Sequence, residues 1–305
     1  MLTGDLERAV LEALAYSDVF EYPLRLDELY RYLPIRAEMD DLLQALRATK
    51  AFVGSASGYY FLTGREGLVS NRRDREACSQ KLLPQALRYG KILGALPFVR
   101  MVALTGSLAV MNVSKNTDFD YMLVAKRGRV WTARAFALLL NRVASLFGHT
   151  LCPNLIISGA DLEWHQRDLY SARELCQMIP MTGFDVYQIL FEENEWVNEF
   201  LPNATLNSDS LRSGWQRYAA SLQRFGEFLL IGNLGDKLEH WEMTRKIKRF
   251  SKQTGFGEET IFTADICQGN FDHHRKATYD LFKQRLMNYL HDSSLPLEEV
   301  VEVRI

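Results

Sequence analysis

Two acidic residues with one residue between them, Asp118 and Asp120, follow the pair Gly106-Ser107 after an interval of ten residues. Alternate side chains of a β-strand point to one face, so a strand at this position would bring both carboxylates together. Proteins bind Mg²⁺ with one or two carboxylates plus the phosphates of a substrate. Asp118 and Asp120 are therefore the candidate metal ligands, for Mg²⁺ or Mn²⁺.

The Gly106-Ser107 pair has the residue types of a phosphate-binding turn. Glycine allows a tight turn and leaves no Cβ in the way of an approaching phosphate. Ser107 offers a hydroxyl and a backbone N–H at the predicted start of a short helix, where anions bind. An ordinary turn followed by two solvated aspartates is the alternative interpretation. Two like charges on one face of a strand repel each other, which favours the functional interpretation.

Positive charge for the phosphates has to come from basic residues near these acids. Lys115 precedes the acidic pair, and Lys126 and Arg127 follow its strand. Each alone is typical of a solvated surface charge, but one or two of the group are expected to contact phosphate. Arg134 is the preferred candidate together with Lys115, because it is a lone charge within an otherwise apolar helical run.

The elements that must position these residues are predicted from the apolar pattern. A compact apolar run at 98–104 predicts a buried strand, and 108–111 predicts a short helix. A second strand is expected at 118–124, a long and largely buried helix at 130–147, and a third strand at 154–158. Phe119 and Tyr121 should then face the core behind the acids.

The motif, read as Leu104-Thr-Gly-Ser, ten residues and Asp-Phe-Asp, resembles the signature of the polymerase-β nucleotidyltransferase superfamily, including its small kanamycin-type enzymes. Ser114 and Asn116 also resemble the loop before the acids in those enzymes. The resemblance covers about residues 98–160. It implies a small mixed-sheet core that binds a Mg²⁺-nucleoside triphosphate, with ATP as the expected nucleotide. It also implies transfer of a nucleoside monophosphate to an acceptor, with release of pyrophosphate.

The resemblance further implies a third carboxylate on a later strand, which helps to hold the catalytic metal and activates the acceptor hydroxyl. The matching position is expected to be Asn154, which completes the candidate catalytic set with Asp118 and Asp120. Asparagine offers a carbonyl oxygen but no charge, and it cannot take a proton. Asp161 or Glu163 are possible substitutes. Two functions therefore stay open, an active nucleotidyltransferase and a non-catalytic nucleotide-binding regulatory protein.

The whole chain is predicted to be α+β, with four segments. Residues 1–64 have three predicted helices and a β-hairpin, and they resemble a winged helix-turn-helix domain. Residues 65–96 are a helical connector with an interruption at Pro84. The nucleotidyltransferase core occupies 97–165. A region that is almost entirely helical, expected to form a bundle over one edge of the nucleotide cleft, occupies 166–305.

A winged helix suggests DNA binding as a third function. The helix that would enter the major groove, however, begins with Glu38, Asp40 and Asp41. These acids would repel the phosphates of DNA. A packing or protein-interaction role is therefore favoured over a DNA-associated regulator.

Composition gives no global attraction to nucleic acid or to an anionic membrane, because the formal net charge is −2. The longest apolar stretch, 135–140, is too short to span a bilayer. The four cysteines are scattered without metal-finger spacing, which indicates reduced thiols. A cytoplasmic protein is expected.

Overall fold

The computed structural model describes residues 4–114, 118–205 and 216–290. Its N-terminal part has three helices and a small antiparallel sheet in the order β1-β3-β2. The helices and the hairpin expected there are confirmed. In chain order the elements are α1 (Asp5–Asp18), β1 (Leu24–Arg25), α2 (Leu26–Arg31), α3 (Met39–Ala48), β2 (Val53–Ala56) and β3 (Tyr59–Leu62).

A single long helix, α4 (Leu68–Gly94), connects this part to the core. The expected interruption at Pro84 is wrong, because the helix continues through the proline. Proline removes one helix hydrogen bond. Packing against the core offsets that loss: the Tyr121 hydroxyl donates to the Ala86 carbonyl oxygen at 2.8 Å.

The motif residues lie in the order of elements that the sequence predicts. These are β4 (Val99–Leu104), α5 (Gly106–Ala109), β5 (Phe119–Ala125), α6 (Val130–Ser145) and β6 (Leu151–Ser158). The expectation of a largely buried α6 is wrong in part, since Leu139 is 55% exposed and Val143 47% exposed. The helix packs against the sheet and one neighbouring helix, which leaves its outer face without cover.

The region after residue 166 is not entirely helical, which corrects the sequence-based expectation. It contains α7 (Leu169–Gln177), β7 (Ile179–Thr182), α8 (Phe184–Glu192), α9 (Val197–Phe200), α10 (Gln216–Leu229), α11 (Asn233–Phe250), β8 (Thr260–Phe262), β9 (Ile266–Gly269) and α12 (His274–Leu290). Its three strands are only three or four residues long. Such segments are too short for a periodic pattern to distinguish them from turns.

A six-stranded mixed sheet forms the centre of the molecule, in the order β7-β4-β5-β6-β9-β8. Strands β5 and β6 are parallel, and the other neighbours are antiparallel. The mixed α and β class predicted from the sequence is confirmed. The three strands contributed from beyond residue 166 extend the sheet on both sides of the motif strands.

The N-terminal elements share a core with the C-terminal helix. The ring of Tyr16 on α1 packs edge-on against Phe282 on α12, with 5.6 Å between centroids. Buried Asp18 pairs with both Arg65 and Arg285 at 2.8 Å. These contacts hold the end of α1 against α12. No helix in the described part of the chain is long and apolar enough to cross a membrane.

The turn between β7 and α8 depends on a glycine. Gly183 has φ +68°, and a Cβ there would lie 2.0 Å from the carbonyl oxygen of Arg100 on β4. We expect Gly183→Ala to lower the free energy of unfolding by about 1–2 kcal/mol for the left-handed backbone and by roughly 1–3 kcal/mol more for the clash. Urea denaturation measures the loss.

Gly128→Ala is the matched control, since Gly128 has φ +67° and no atom within 4 Å of its would-be Cβ. In Gly128→Ala the free energy of unfolding should fall only by the part that comes from the left-handed backbone. Equal losses in the two variants would show that the approach to Arg100 does not constrain this edge of the sheet.

Candidate functional site

A cavity of about 620 Å³ lies on one face of the central sheet. Its walls come from β5, β6 and β9, from the loop after β4, from the end of α1, from α7, and from the start of α12. Asp118, Asp120 and Asn154 all line it. The expectation that residues beyond 166 cover the cleft beside the acidic pair is confirmed by the lining residues of α7 and α12.

Strand β5 separates its acids from its apolar residues, as predicted. Phe119 and Tyr121 are buried in the core behind the strand, with 2% and 0% of their surfaces exposed. Asp118 is exposed and Asp120 is partly buried, and both face the cavity. The alternation of a strand therefore produces a wall with two neighbouring carboxylates.

The two carboxylates have no ion-pair partner within residues 4–114, 118–205 and 216–290. Among the described residues, neither Asp118 nor Asp120 forms an ion pair with a basic side chain. Burial, and then the charge of Asp118, raise the pKa of Asp120 to about 6. A hydrogen bond from the thiol of Cys152, the residue opposite Asp120 on β6, acts in the other direction. The pair is therefore an electrostatic site that a divalent cation would complete.

Gly106 and Asp120 form one structural unit. Gly106 has φ +66°, and a Cβ there would lie 2.4 Å from Asp120 Oδ2. The backbone N–H of Thr105 donates to the Asp120 carbonyl oxygen at 3.0 Å. The Gly-Ser turn is thus held directly against the acidic pair. Helix α5 is only one turn long, and Ser107 lies in it, on the cavity.

Asn154 lies on the same side of the sheet as the two aspartates, as expected. A bulge in β6 between the partners of Tyr121 and Met122 introduces it two positions beyond Cys152. Its Nδ2 is 3.5 Å from the hydroxyl of Thr105, and its Oδ1 is buried without a hydrogen-bond partner in the described part of the chain. Buried amide oxygens normally accept a hydrogen bond or bind a cation, so this oxygen is suited to a water molecule or an ion.

Glu174 on α7 is a carboxylate that the sequence reasoning missed. It lines the cavity, and burial followed by the charge of Asp120 raises its pKa to about 7. No residue in the described part of the chain forms an ion pair or a hydrogen bond with its carboxylate. In the sequence it is one acid in an amphipathic helix, far from the motif, so no local pattern distinguishes it.

The two acids considered as substitutes for the missing carboxylate have other partners. Asp161 and Glu163 line the cavity, but Asp161 lies 3.6 Å from His165 and Glu163 pairs with Arg167. Both belong to the short loop after β6. Their local pairing makes them less available to a metal than Asp118 and Asp120.

The structure does not bring Arg134 to the acidic pair. Its guanidinium lies 5.2 Å from the centre of the Phe250 ring and hydrogen-bonds the thiol of Cys267, on the opposite face of the sheet. These contacts hold Arg134 away from the acidic pair, and its Nη1 is buried without a hydrogen-bond partner among the described residues. Lys126 and Arg127 are exposed and lie outside the cavity lining. Lys115 lies outside the described residues.

Comparisons with known proteins give no assignment. No protein-family model, curated protein or solved structure matches this chain. Within the described residues there is also no group of three or more His, Cys, Asp or Glu side chains placed to hold a metal by themselves. Asp118 and Asp120 alone fit a metal that takes its remaining ligands from a substrate and water, as Mg²⁺ does.

The raised pKa of Glu174 predicts a pH-dependent stability. Its folded pKa of about 7 lies above the ordinary value of 4.5, so its contribution is complete below pH 4.5 and is lost as the pH rises through 7. We expect Glu174→Gln to remove this loss and to stabilise the metal-free protein at pH 8 by roughly 1–2 kcal/mol, after allowance for partial exposure. Urea midpoints between pH 4.5 and 8 measure it.

Glu163→Gln is the control, because this exposed acid lines the same cavity and pairs with Arg167. Its pH profile should follow the wild type. If both variants gain the same stability at pH 8, the effect comes from the net charge of the protein and not from the environment of Glu174.

Proposed function

We propose that this protein is a metal-dependent nucleotidyltransferase. It takes a nucleoside monophosphate from a Mg²⁺-nucleoside triphosphate, with ATP as the first candidate, and transfers it to an acceptor hydroxyl. The observation that carries the proposal is the wall formed by Asp118 and Asp120, two adjacent carboxylates without a cation partner among the described residues. Glu174 is a third carboxylate in the same cavity, and the charge of Asp120 contributes to its raised pKa.

Asp118 and Asp120 would hold the metal together with oxygens of the triphosphate. A divalent ion at such a site neutralises the charge on the phosphates and stabilises the attacking and leaving oxygens. Gly106 supports this placement, because the turn approaches Asp120 with no side chain between them. Ser107, the next residue of that turn, offers a hydroxyl to a phosphate oxygen.

Glu174 is suited to act as the general base. A base works best when its pKa lies near the working pH, and the pKa of Glu174 is raised to about 7. It would take the proton of the acceptor hydroxyl while that oxygen attacks the α-phosphorus. The new P–O bond forms as the bond to the β-phosphate bridging oxygen breaks, and pyrophosphate leaves with that electron pair.

A non-catalytic nucleotide-binding regulator is the second candidate. The observation that favours it is Asn154. This residue has no charge, whereas the resemblance to the polymerase-β superfamily implies an acid at the matching position. The presence of Glu174 in the cavity favours the catalytic alternative. The two proposals differ in whether pyrophosphate appears.

DNA binding by the N-terminal part is the weakest candidate. The exposed side chains of α3 include two acids, Asp40 and Asp41, and one arginine, Arg47. The end of α1 instead forms a wall of the cavity through Tyr16 and neighbouring residues.

All four cysteines are free, which supports the expected cytoplasmic setting.

Binding of Mg²⁺-ATP, or of another nucleoside triphosphate, should raise the melting temperature of the full-length protein by mass action. The double variant Asp118→Asn/Asp120→Asn should stay folded and lose the shift, because it retains the shape but not the charge of the metal ligands. Differential scanning fluorimetry with each of the four triphosphates, in Mg²⁺ and in Mn²⁺, measures it. An unchanged melting temperature under all eight conditions would contradict the proposal.

Glu174→Gln should reduce turnover by about 10²–10⁴-fold, the usual contribution of a general base, while triphosphate binding is retained. The measurement is transfer of the label from α-labelled triphosphate to the acceptor in cell extract, because the α-phosphate stays with the transferred nucleotide. Full activity in this variant would remove Glu174 from the mechanism.

Asn154→Asp tests the competing assignment of the base within the same assay. If Glu174 is the base, adding an acid at position 154 should leave the turnover of Glu174→Gln low. A rescue in the double variant would assign proton transfer to the position of Asn154.

A further inference from the structure

Arg173, the residue next to Glu174 on α7, is a buried cation without a polar partner among the residues that the structure describes. Its surface is 3% exposed. The guanidinium carbon lies 3.8 Å from the centre of the Tyr32 ring and 4.7 Å from that of Tyr16. In the described part of the chain it donates no hydrogen bond and forms no ion pair, and its Nε is enclosed without a partner.

An unpaired buried arginine is costly, because desolvation of a charge is normally offset by a carboxylate or by hydrogen bonds. The two tyrosine rings compensate only in part, through cation–π attraction. Burial accordingly lowers the pKa of Arg173 from its ordinary value. The buried charge of Arg173 therefore has no counter-ion among the described residues, and a bound anion would stabilise it.

Arg173 also lines the cavity that contains the acidic pair. Among the described residues no side chain or backbone group accepts a hydrogen bond from its guanidinium, and the Nε is fully enclosed. The other arginine of the cavity wall, Arg275, is already paired with Asp168 at 3.2 Å. Of the arginines that line the cavity within the described residues, Arg173 alone is available to a ligand.

We propose that Arg173 binds an anionic group of the acceptor, a phosphate or a carboxylate, and so places the acceptor hydroxyl beside Glu174. The inference rests on the proposed nucleotidyl transfer and adds the acceptor's chemical class, a small anionic molecule with a hydroxyl. A guanidinium matches either anion with two parallel N–H···O bonds, and the flanking rings keep it in position for them.

The order of groups along the cavity separates this anion site from the triphosphate. Arg173 lies against the rings of Tyr16 and Tyr32, both in the N-terminal part of the chain. Asp118 and Asp120 line the same cavity from the central sheet, and neither pairs with Arg173. The acceptor end is thus the end where α1 of the N-terminal part meets α7, which gives that part a role in substrate recognition.

The first test uses the wild-type, metal-free full chain at constant ionic strength. Inorganic phosphate and malonate are titrated separately, with the melting temperature as the readout, and each titration is repeated with saturating Mg²⁺-ATP. One of the two anions should stabilise the protein, and its effect should add to that of Mg²⁺-ATP. The response to phosphate or to malonate identifies the type of anion.

Two results of this test would overturn the inference. The first is the absence of stabilisation by both anions. The second is competition between the stabilising anion and Mg²⁺-ATP, which would assign Arg173 to the triphosphate. If Mg²⁺-ATP itself has no effect while an anion stabilises the chain through Arg173, the nucleotidyl-transfer proposal fails and the anion site stands.

The second test compares Arg173→Met with Arg167→Met, a surface arginine paired with Glu163 that undergoes the same change of charge. Arg173→Met should bind the anion at least about tenfold more weakly. It should retain the Mg²⁺-ATP shift, and without ligand it should be as stable as the wild type or more so, because a buried unpaired charge is removed. Arg167→Met should keep the anion response.

A purely structural role for Arg173, as a pin between the two tyrosines, gives the opposite result. Arg173→Met would then be less stable, and the anion response of the wild type would be unchanged in the variant, which refutes the inference. If Arg173→Met does not fold, Arg173→Lys takes its place. Lysine keeps the charge without the two-point geometry, so a weakened anion response supports the inference and an unaltered one opposes it.

Discussion

The electrostatic repulsion between Asp118 and Asp120 is the constraint on which the site depends. The strand that bears them cannot rotate to separate the charges, because Phe119 and Tyr121 are locked in the core behind it. Gly106 closes the other side, where a Cβ would meet the carboxylate of Asp120. The fold therefore holds two like charges together, and a cation is the simplest way to relieve their repulsion.

The cavity around this pair is assembled from distant parts of the chain. The end of α1 is tied to α12 through Asp18, which pairs with both Arg65 and Arg285. Helix α7 then presents two consecutive residues with opposite charges, Arg173 and Glu174, to the same space. The N-terminal elements thus act as a wall of the site, which gives them a use that does not require DNA.

Arg134 and Glu174 show why the position of a charged residue in the sequence does not reveal which groups its side chain contacts. Arg134 stands out in an apolar helix, yet its neighbours are an aromatic ring and a thiol on the far face of the sheet, away from the acidic pair. Glu174 looks like an ordinary helix acid, yet burial beside Asp120 changes its proton affinity. In both cases the deciding neighbour belongs to a strand remote in sequence.

The sequence by itself determined the local features: the helices and hairpin of the first part, the order of elements from β4 to β6, and the alternation that sends Asp118 and Asp120 to one face. These depend on periodicity and on nearby residues, which a sequence displays. Only the tertiary structure decided that three short strands after residue 166 extend the sheet, and that Arg173 and Glu174 join the acidic pair. The reason is that strand pairing and burial bring together residues far apart in the chain, and no local pattern encodes those contacts.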